Sequence, residues 1–228
     1  MLYELRHYTA PDTSSLGALT AWFGEHVIPE YQARGTRVVG CWTVAIGEQP
    51  RLTTMLAYDD ANQRQQSSGD FRRSDAWRAM EDRLYTGSNA LITGINTALL
   101  APTPYSPDPF QFHNADGTPG IFEERIYRGK NGRTLAGVNR RFNDHTVRIF
   151  ATHGITPVGF WTVEIGADQP LLYYLLRFDS LADYDPKWSA FRNDPEWQRV
   201  RAESEKDGNL LLWIRSTILA PTPFSPMR

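Results

Sequence analysis

The sequence predicts an α+β chain built from two tandem βαββαβ modules. Two observations carry this: one segment order is written twice, and each copy alternates strand-like and helix-like periodicity in the same sequence. Leu100-Ala101-Pro102-Thr103-Pro104-Tyr105-Ser106-Pro107 returns as Leu219-Ala220-Pro221-Thr222-Pro223-Phe224-Ser225-Pro226, an offset of 119 residues. Gly40-Cys41-Trp42-Thr43-Val44-Ala45-Ile46-Gly47 returns as Gly159-Phe160-Trp161-Thr162-Val163-Glu164-Ile165-Gly166, identical at six of eight positions. Glu4, Arg6 and Tyr8 match Glu123, Arg125 and Tyr127, and Phe23 and His26 match Phe142 and His145. One inserted residue near Ala167 and Asp168 shifts the offset to 120, so that Phe71-Arg72 and Trp77 match Phe191-Arg192 and Trp197. A fixed period marks a duplicated unit. The expected modules are 1–107 and 121–228, joined by a Pro-, Gly-, Asn- and Asp-containing linker at 108–120.

Residues 2–9 and 121–128 alternate and contain Tyr, Leu and Phe, which reads as a first strand. Residues 14–34 and 134–153 carry apolar side chains at helical spacing and end at Gly35 and Gly154, suited to the position just past a helix. Residues 37–47 and 156–166 are β-branched and aromatic. A short turn holding Pro50 or Pro170 leads into 52–58 and 171–178, completing a hairpin. A second helical region covers 60–85 and 180–206. Asp194-Pro195 reads as a cap followed by proline, which splits it in two. The last strand spans 91–100 and 210–219. This order is the split βαβ, ferredoxin-like pattern. Its sheet has helices on one face only, so the other face needs a cover. The second copy is the expected cover, giving a barrel-like body with an enclosed centre.

The chain has 228 residues, and its 24 Lys+Arg against 26 Asp+Glu leave a net charge of −2. That balance gives no electrostatic reason to expect nucleic acid as a partner. A lone cysteine, Cys41, excludes an intrachain disulfide and a cysteine-cluster metal site. No apolar run reaches the length of a membrane span, and Met1-Leu2-Tyr3-Glu4-Leu5-Arg6 lacks a signal-peptide pattern. A cytoplasmic protein is expected, a monomer or a homodimer of the fused pair.

Tyr3-Glu4-Leu5-Arg6, Glu25-His26 and Gly40-Cys41-Trp42 resemble the NIPSNAP family, and Phe122-Glu123-Glu124-Arg125, Asp144-His145 and Gly159-Phe160-Trp161 repeat the resemblance in the second copy. It implies a dimeric α+β barrel, here intramolecular, and says little about the reaction. Proteins of that fold include cofactor-independent monooxygenases, muconolactone isomerase-like enzymes and haem-handling proteins, and fold does not fix function.

Strand alternation groups Glu4, Arg6 and Tyr8 on one face and Tyr3, Leu5 and His7 on the other. The more apolar set is expected to meet the helices, although Glu124 fits that poorly. Glu123, Arg125 and Tyr127 would then face the barrel centre, as groups for acid–base work or as an ion pair that satisfies itself. The copies also differ informatively. Small residues such as Gly94, Asn96 and Thr53 stand where copy two has Trp213, Arg215 and Tyr173. Arg125, Arg177 and Arg215 could form an anion site, with Tyr173 and Trp213 as walls. His145 is a candidate base at a pocket mouth or a helix–strand contact. No helix carries His-x-x-x-His or Glu-x-x-His spacing, so no metal is expected. The expected function is a cofactor-independent small-molecule enzyme, working by proton transfer, isomerisation or oxygenation. Its catalytic groups would be His145, Glu123 and Tyr127. Arg125, Arg177, Tyr173, Trp213 and Arg215 would bind a small organic, anionic ligand. The rivals are a non-catalytic binding or scaffold protein and a haem binder, since one histidine suffices to ligate haem.

Overall fold

The computed structural model describes residues 1–85, 90–113 and 117–228. The first repeat runs β1 (Leu2–Thr9), α1 (Thr13–Trp22), α2 (Ile28–Ala33), β2 (Arg37–Ile46), β3 (Arg51–Tyr58), α3 (Ala61–Arg72), α4 (Asp75–Tyr85) and β4 (Gly94–Pro102). The second runs β5 (Ile121–Gly129), α5 (Gly132–Arg141), α6 (Val147–Thr152), β6 (Thr156–Ile165), β7 (Leu171–Phe178), α7 (Leu181–Asn193), α8 (Pro195–Ser204) and β8 (Leu211–Pro221). Of the linker expected at 108–120, residues 114–116 lie outside the described residues. Leu91 and Ile92 belong to the core between helices and sheet, and β4 starts two residues later, at Gly94.

Local chemistry sets the helix ends. Asp12 and Asp60 accept the Ser15 and Gln63 amides at 2.7 and 2.8 Å, capping α1 and α3. Asn131 and Thr134 form a reciprocal capping box on α5. Asp194 ends α7 and caps α8, with Pro195 in its first turn, as the sequence predicts. Gly35 and Gly154 take positive φ angles of 72° and 66° after the first helical stretch of each repeat. Each stretch is interrupted by a π turn, at Phe23–Val27 and Phe142–Thr146.

All eight strands close into one antiparallel barrel in the order β1-β3-β2-β8-β5-β7-β6-β4. The repeats meet edge to edge, through β2 with β8 and β4 with β6. Three cores result. Two lie between helices and sheet, one per repeat. The third fills the barrel with Tyr3, Leu5, Trp42, Met55, Leu100, Phe122, Trp161 and Leu219.

This corrects the expected strand faces. Tyr3 and Leu5 point into the barrel, whereas Tyr8 and Tyr127 pack beneath the helices. Glu4, Arg6, Glu123 and Arg125 are therefore on the helix side. Both faces of a closed barrel under helices are core, so the apolar content of a strand face does not say which core it joins. Polar partners decide it here. Glu4 accepts from Arg6, Tyr58 and Arg64, and Glu123 from Arg125, Tyr184, Trp188 and Ser216. Arg64 of α3 and Tyr184 and Trp188 of α7 supply these donors from the helix side.

The repeated Pro-Thr-Pro-aromatic-Ser-Pro tail is a reciprocal clasp. The Thr103 and Thr222 amides donate to the Phe160 and Cys41 carbonyls, each at 2.9 Å. Ser106 and Ser225 accept the Phe160 and Cys41 amides in return. Each tail thus adds to the other repeat. Tyr105 reaches Asn139 of α5 at 2.6 Å, and Phe224 lies against Gly24. Cys41 is buried beneath the clasp, and burial pushes its thiol pKa up, which leaves it inert as a nucleophile. One end of the barrel is closed by Phe110 and Phe112 of the linker and by Met227, which follows closely on the clasp residue Ser225.

The Gly-x-Trp pairs of β2 and β6 have a steric cause. The Trp42 and Trp161 indoles lie back over Gly40 and Gly159, where a Cβ would stand 2.2 and 2.3 Å from the ring. Gly40→Ala or Gly159→Ala should cost about 1–3 kcal/mol by overpacking, lowering the melting temperature by about 2–12 °C. Gly17→Ala, in α1 with open space around it, should be neutral or stabilising. Thermal denaturation followed by circular dichroism checks both; equal melting temperatures for all three variants would contradict this account of the motif.

Candidate active site

The barrel interior is apolar at its closed end and polar at the other. There a cavity of about 510 Å³ opens between the β2–β3 turn (Gly47, Glu48, Gln49), the β6–β7 turn (Ala167, Asp168) and the first halves of β4 and β8. On its wall four polar side chains converge. His7 and Arg51 come from the first repeat, on β1 and β3; Glu124 and Tyr173 come from the second, on β5 and β7. The Glu124 carboxylate accepts from His7 Nε2 at 2.8 Å, Arg51 Nη2 at 2.5 Å and Tyr173 OH at 3.2 Å. Arg51 Nη1 also approaches His7 Nδ1 at 3.4 Å.

The partners fix the histidine tautomer. A guanidinium only donates, so Nδ1 accepts and Nε2 carries the hydrogen given to Glu124. Glu124 itself is 1% exposed. Burial works against its charge, but the His7 and Arg51 contacts outweigh burial and hold its pKa down at about 2. A carboxylate held that low stays ionised and is a poor base; its part is to orient and steady His7. Burial, reinforced by Glu124, pushes the Tyr173 phenol well above its ordinary range, so it remains a donor.

The cluster occurs once in a duplicated frame. The positions equivalent to Glu124, His7, Arg51 and Tyr173 hold Leu5, Ile126, Leu171 and Thr53. Of the residues singled out in the sequence, Tyr173, Trp213 and Arg215 line this cavity. Glu123, Arg125 and Tyr127 lie behind the sheet under the helices. Arg177 shares a strand face with Tyr173 but sits at the closed end, bonded to Asp179 and to the Arg228 carbonyl. His145 is half-buried in the π turn on the barrel's outside. His7, Arg51 and Glu124 were not among the site residues expected from the sequence. Their signal was a charged or polar residue on an apolar strand face wherever the two copies disagree.

Haem needs an open axial nitrogen. The one histidine lining the cavity has Nε2 on Glu124 and Nδ1 against Arg51, so the cavity does not fit that group. Among the described residues no cluster of His, Cys, Asp and Glu could hold a metal ion. A second, apolar hollow between α1 and the Pro223-Phe224 tail is lined, among the described residues, by no titratable side chain.

Glu124 also makes stability depend on pH. Its folded value of about 2 lies below its ordinary 4.5. The unfolded chain therefore binds that proton more readily, and the contribution is whole above about pH 4.5 and lost as pH falls toward 2. The size is on the order of 3 kcal/mol. Glu124→Gln should be less stable than the parent at pH 6, with the gap narrowing between pH 4.5 and 2 in denaturant titrations. A gap that stays constant over that range would refute the assignment.

Comparison with known proteins places the chain. The NIPSNAP family profile matches residues 3–107 and 122–226. A NIPSNAP family protein of unknown function from Agrobacterium tumefaciens is 26% identical over 49% of this chain and 96% of its own, with a TM-score of 0.44. A proposed monooxygenase from Lactobacillus acidophilus is 7% identical and covers 98% of this chain and 97% of its own, with a TM-score of 0.60. An anthrone oxidase-like protein is 8% identical over 96% of this chain and 90% of its own, with a TM-score of 0.53. These last two share the whole eight-stranded fold, and at such identity only the fold. A search of curated proteins finds no match. Because the family profile spans both repeats, the chain belongs to the NIPSNAP family.

Proposed function

We propose that the barrel cavity binds a small organic molecule and that His7 moves a proton to or from it. What supports this is the histidine–carboxylate–arginine cluster of the barrel, set on the wall of a cavity of about 510 Å³. Such a cavity is the size small-molecule sites take. The cluster has the parts of an activated base: an imidazole with one nitrogen tied to a carboxylate, its other nitrogen facing a cation 3.4 Å away. A bound carbonyl compound would replace that weak contact. Its C–H bond would break, the proton passing to His7 Nδ1 and the electron pair remaining on the substrate as an enolate beside Arg51. Return of the proton to a different carbon completes an isomerisation with no change in oxidation state. Tyr173 and Trp213 wall the space.

The relatives described as a proposed monooxygenase and as anthrone oxidase-like suggest a second outcome from the same base. Removal of a proton from an electron-rich substrate is also what makes it reactive toward dioxygen. Either way His7 is the residue that acts first. Proton exchange in D2O with a panel of enolisable carbonyl compounds, followed by NMR, tests this. The parent protein should accelerate exchange of at least one compound, and His7→Gln should slow it by about 100-fold or more. Exchange undiminished in His7→Gln, or none with any compound, would overturn the proposal.

A further inference from the structure

The structure assigns a chemical class to the ligand of this cavity: we infer that it carries a carboxylate, gripped by Arg215. The inference rests on the cavity being a small-molecule site, and extends it. The cavity wall holds two arginines, in different states. Arg51 has its fork engaged by Glu124 and His7. The Arg215 guanidinium makes no hydrogen bond or ion pair among the described residues; it lies over the Trp213 ring, 4.6 Å from the centroid.

Stacking matters because it leaves the in-plane N–H groups free. A guanidinium laid on an aromatic face is held in one plane, and its fork of parallel donors matches the two oxygens of a carboxylate. The ordering is in place before the ligand arrives, so less freedom is lost on binding. The pair is also particular to one repeat. Its counterparts on β4 are Asn96 and Gly94, which offer neither charge nor ring. Around the barrel β8 lies three strands from β1, the strand that carries His7. A ligand anchored at Arg215 therefore extends across the lumen toward the base. Its body would cross Ile126, Val163 and Val44, which are apolar.

Three acidic groups line the same cavity. Glu124 is neutralised within the cluster. Arg215 is itself exposed, and water and salt screen it and also Glu48 and Asp168, the acids on the exposed mouth turns. They weigh against a loosely held anion and leave a directed bidentate contact as the means of capture.

The test uses the full chain and matched pairs of arylacetic acids and their primary amides, which differ in charge and hardly in shape. Isothermal titration calorimetry should show the acids binding more tightly than the amides. Arg215→Gln should weaken the acids by about 10–100-fold, the loss of a charge-assisted contact, and leave the amides unchanged. Arg215→Lys, which keeps the charge and loses the fork, should recover only part of the loss. Acids and amides binding alike, with Arg215→Gln indifferent, would overturn the carboxylate assignment and leave the cavity reading standing. Binding of neither series would defeat both.

Discussion

Everything in this molecule depends on the bare edges of a four-stranded sheet. Each βαββαβ repeat covers one face of its sheet with helices and leaves the other face apolar. The strands at its two edges, β2 and β4 in one repeat and β6 and β8 in the other, have unpaired backbone groups. Neither deficit can be met within a repeat. Pairing β2 with β8 and β4 with β6 meets both at once, because closing the ring turns the two apolar faces inward on each other. The tails strengthen the same two joints by carrying each last strand on into the other repeat's territory. What encloses the cavity is thus the contact that makes the fold complete.

Closure also explains how much could be seen in the sequence. The repeat, the strand and helix order, the helix break at Asp194-Pro195 and the barrel itself were legible, because each follows from local periodicity or from an uncovered face. The orientation of β1 and β5 was not. Alternation separates two sets of residues, yet both sets end in a core, and the deciding partners, Arg64, Tyr184 and Trp188, are about 60 residues away in the chain. Arg177 was placed on the correct face but at the wrong depth, since nothing local tells which end of a barrel the linker and the last residues will close. Comparison between the copies singled out Tyr173, Trp213 and Arg215, which differ from Thr53, Gly94 and Asn96, and all three line the cavity. Glu124 opposite Leu5 belonged to the same class of difference, and it stood out as a misfit on an apolar face before its partners could be known.

The site is consequently a departure from symmetry inside a symmetric frame. Two identical chains would place the same residues on both sides of the lumen, and a carboxylate at the Leu5 position would face its own kind. A covalently joined pair is free of that restriction. One repeat supplies the imidazole and a cation, the other the carboxylate and the phenol, and the bonds from His7 and Arg51 to Glu124 cross from one repeat to the other. The buried charges therefore tie the two repeats together at the point where the proposed chemistry takes place.

The clasp has a consequence in time as well as in space. The bond from Thr222 to the Cys41 carbonyl spans 181 residues, and β2 finds its second neighbour only in β8, the last strand of the chain. A ribosome releases the first repeat in full long before either exists. While the second repeat is being made, the first therefore waits with an open strand edge and an exposed apolar face. The barrel becomes a closed body only when the final strand emerges, so the vulnerable period of this protein is written into the order of its strands.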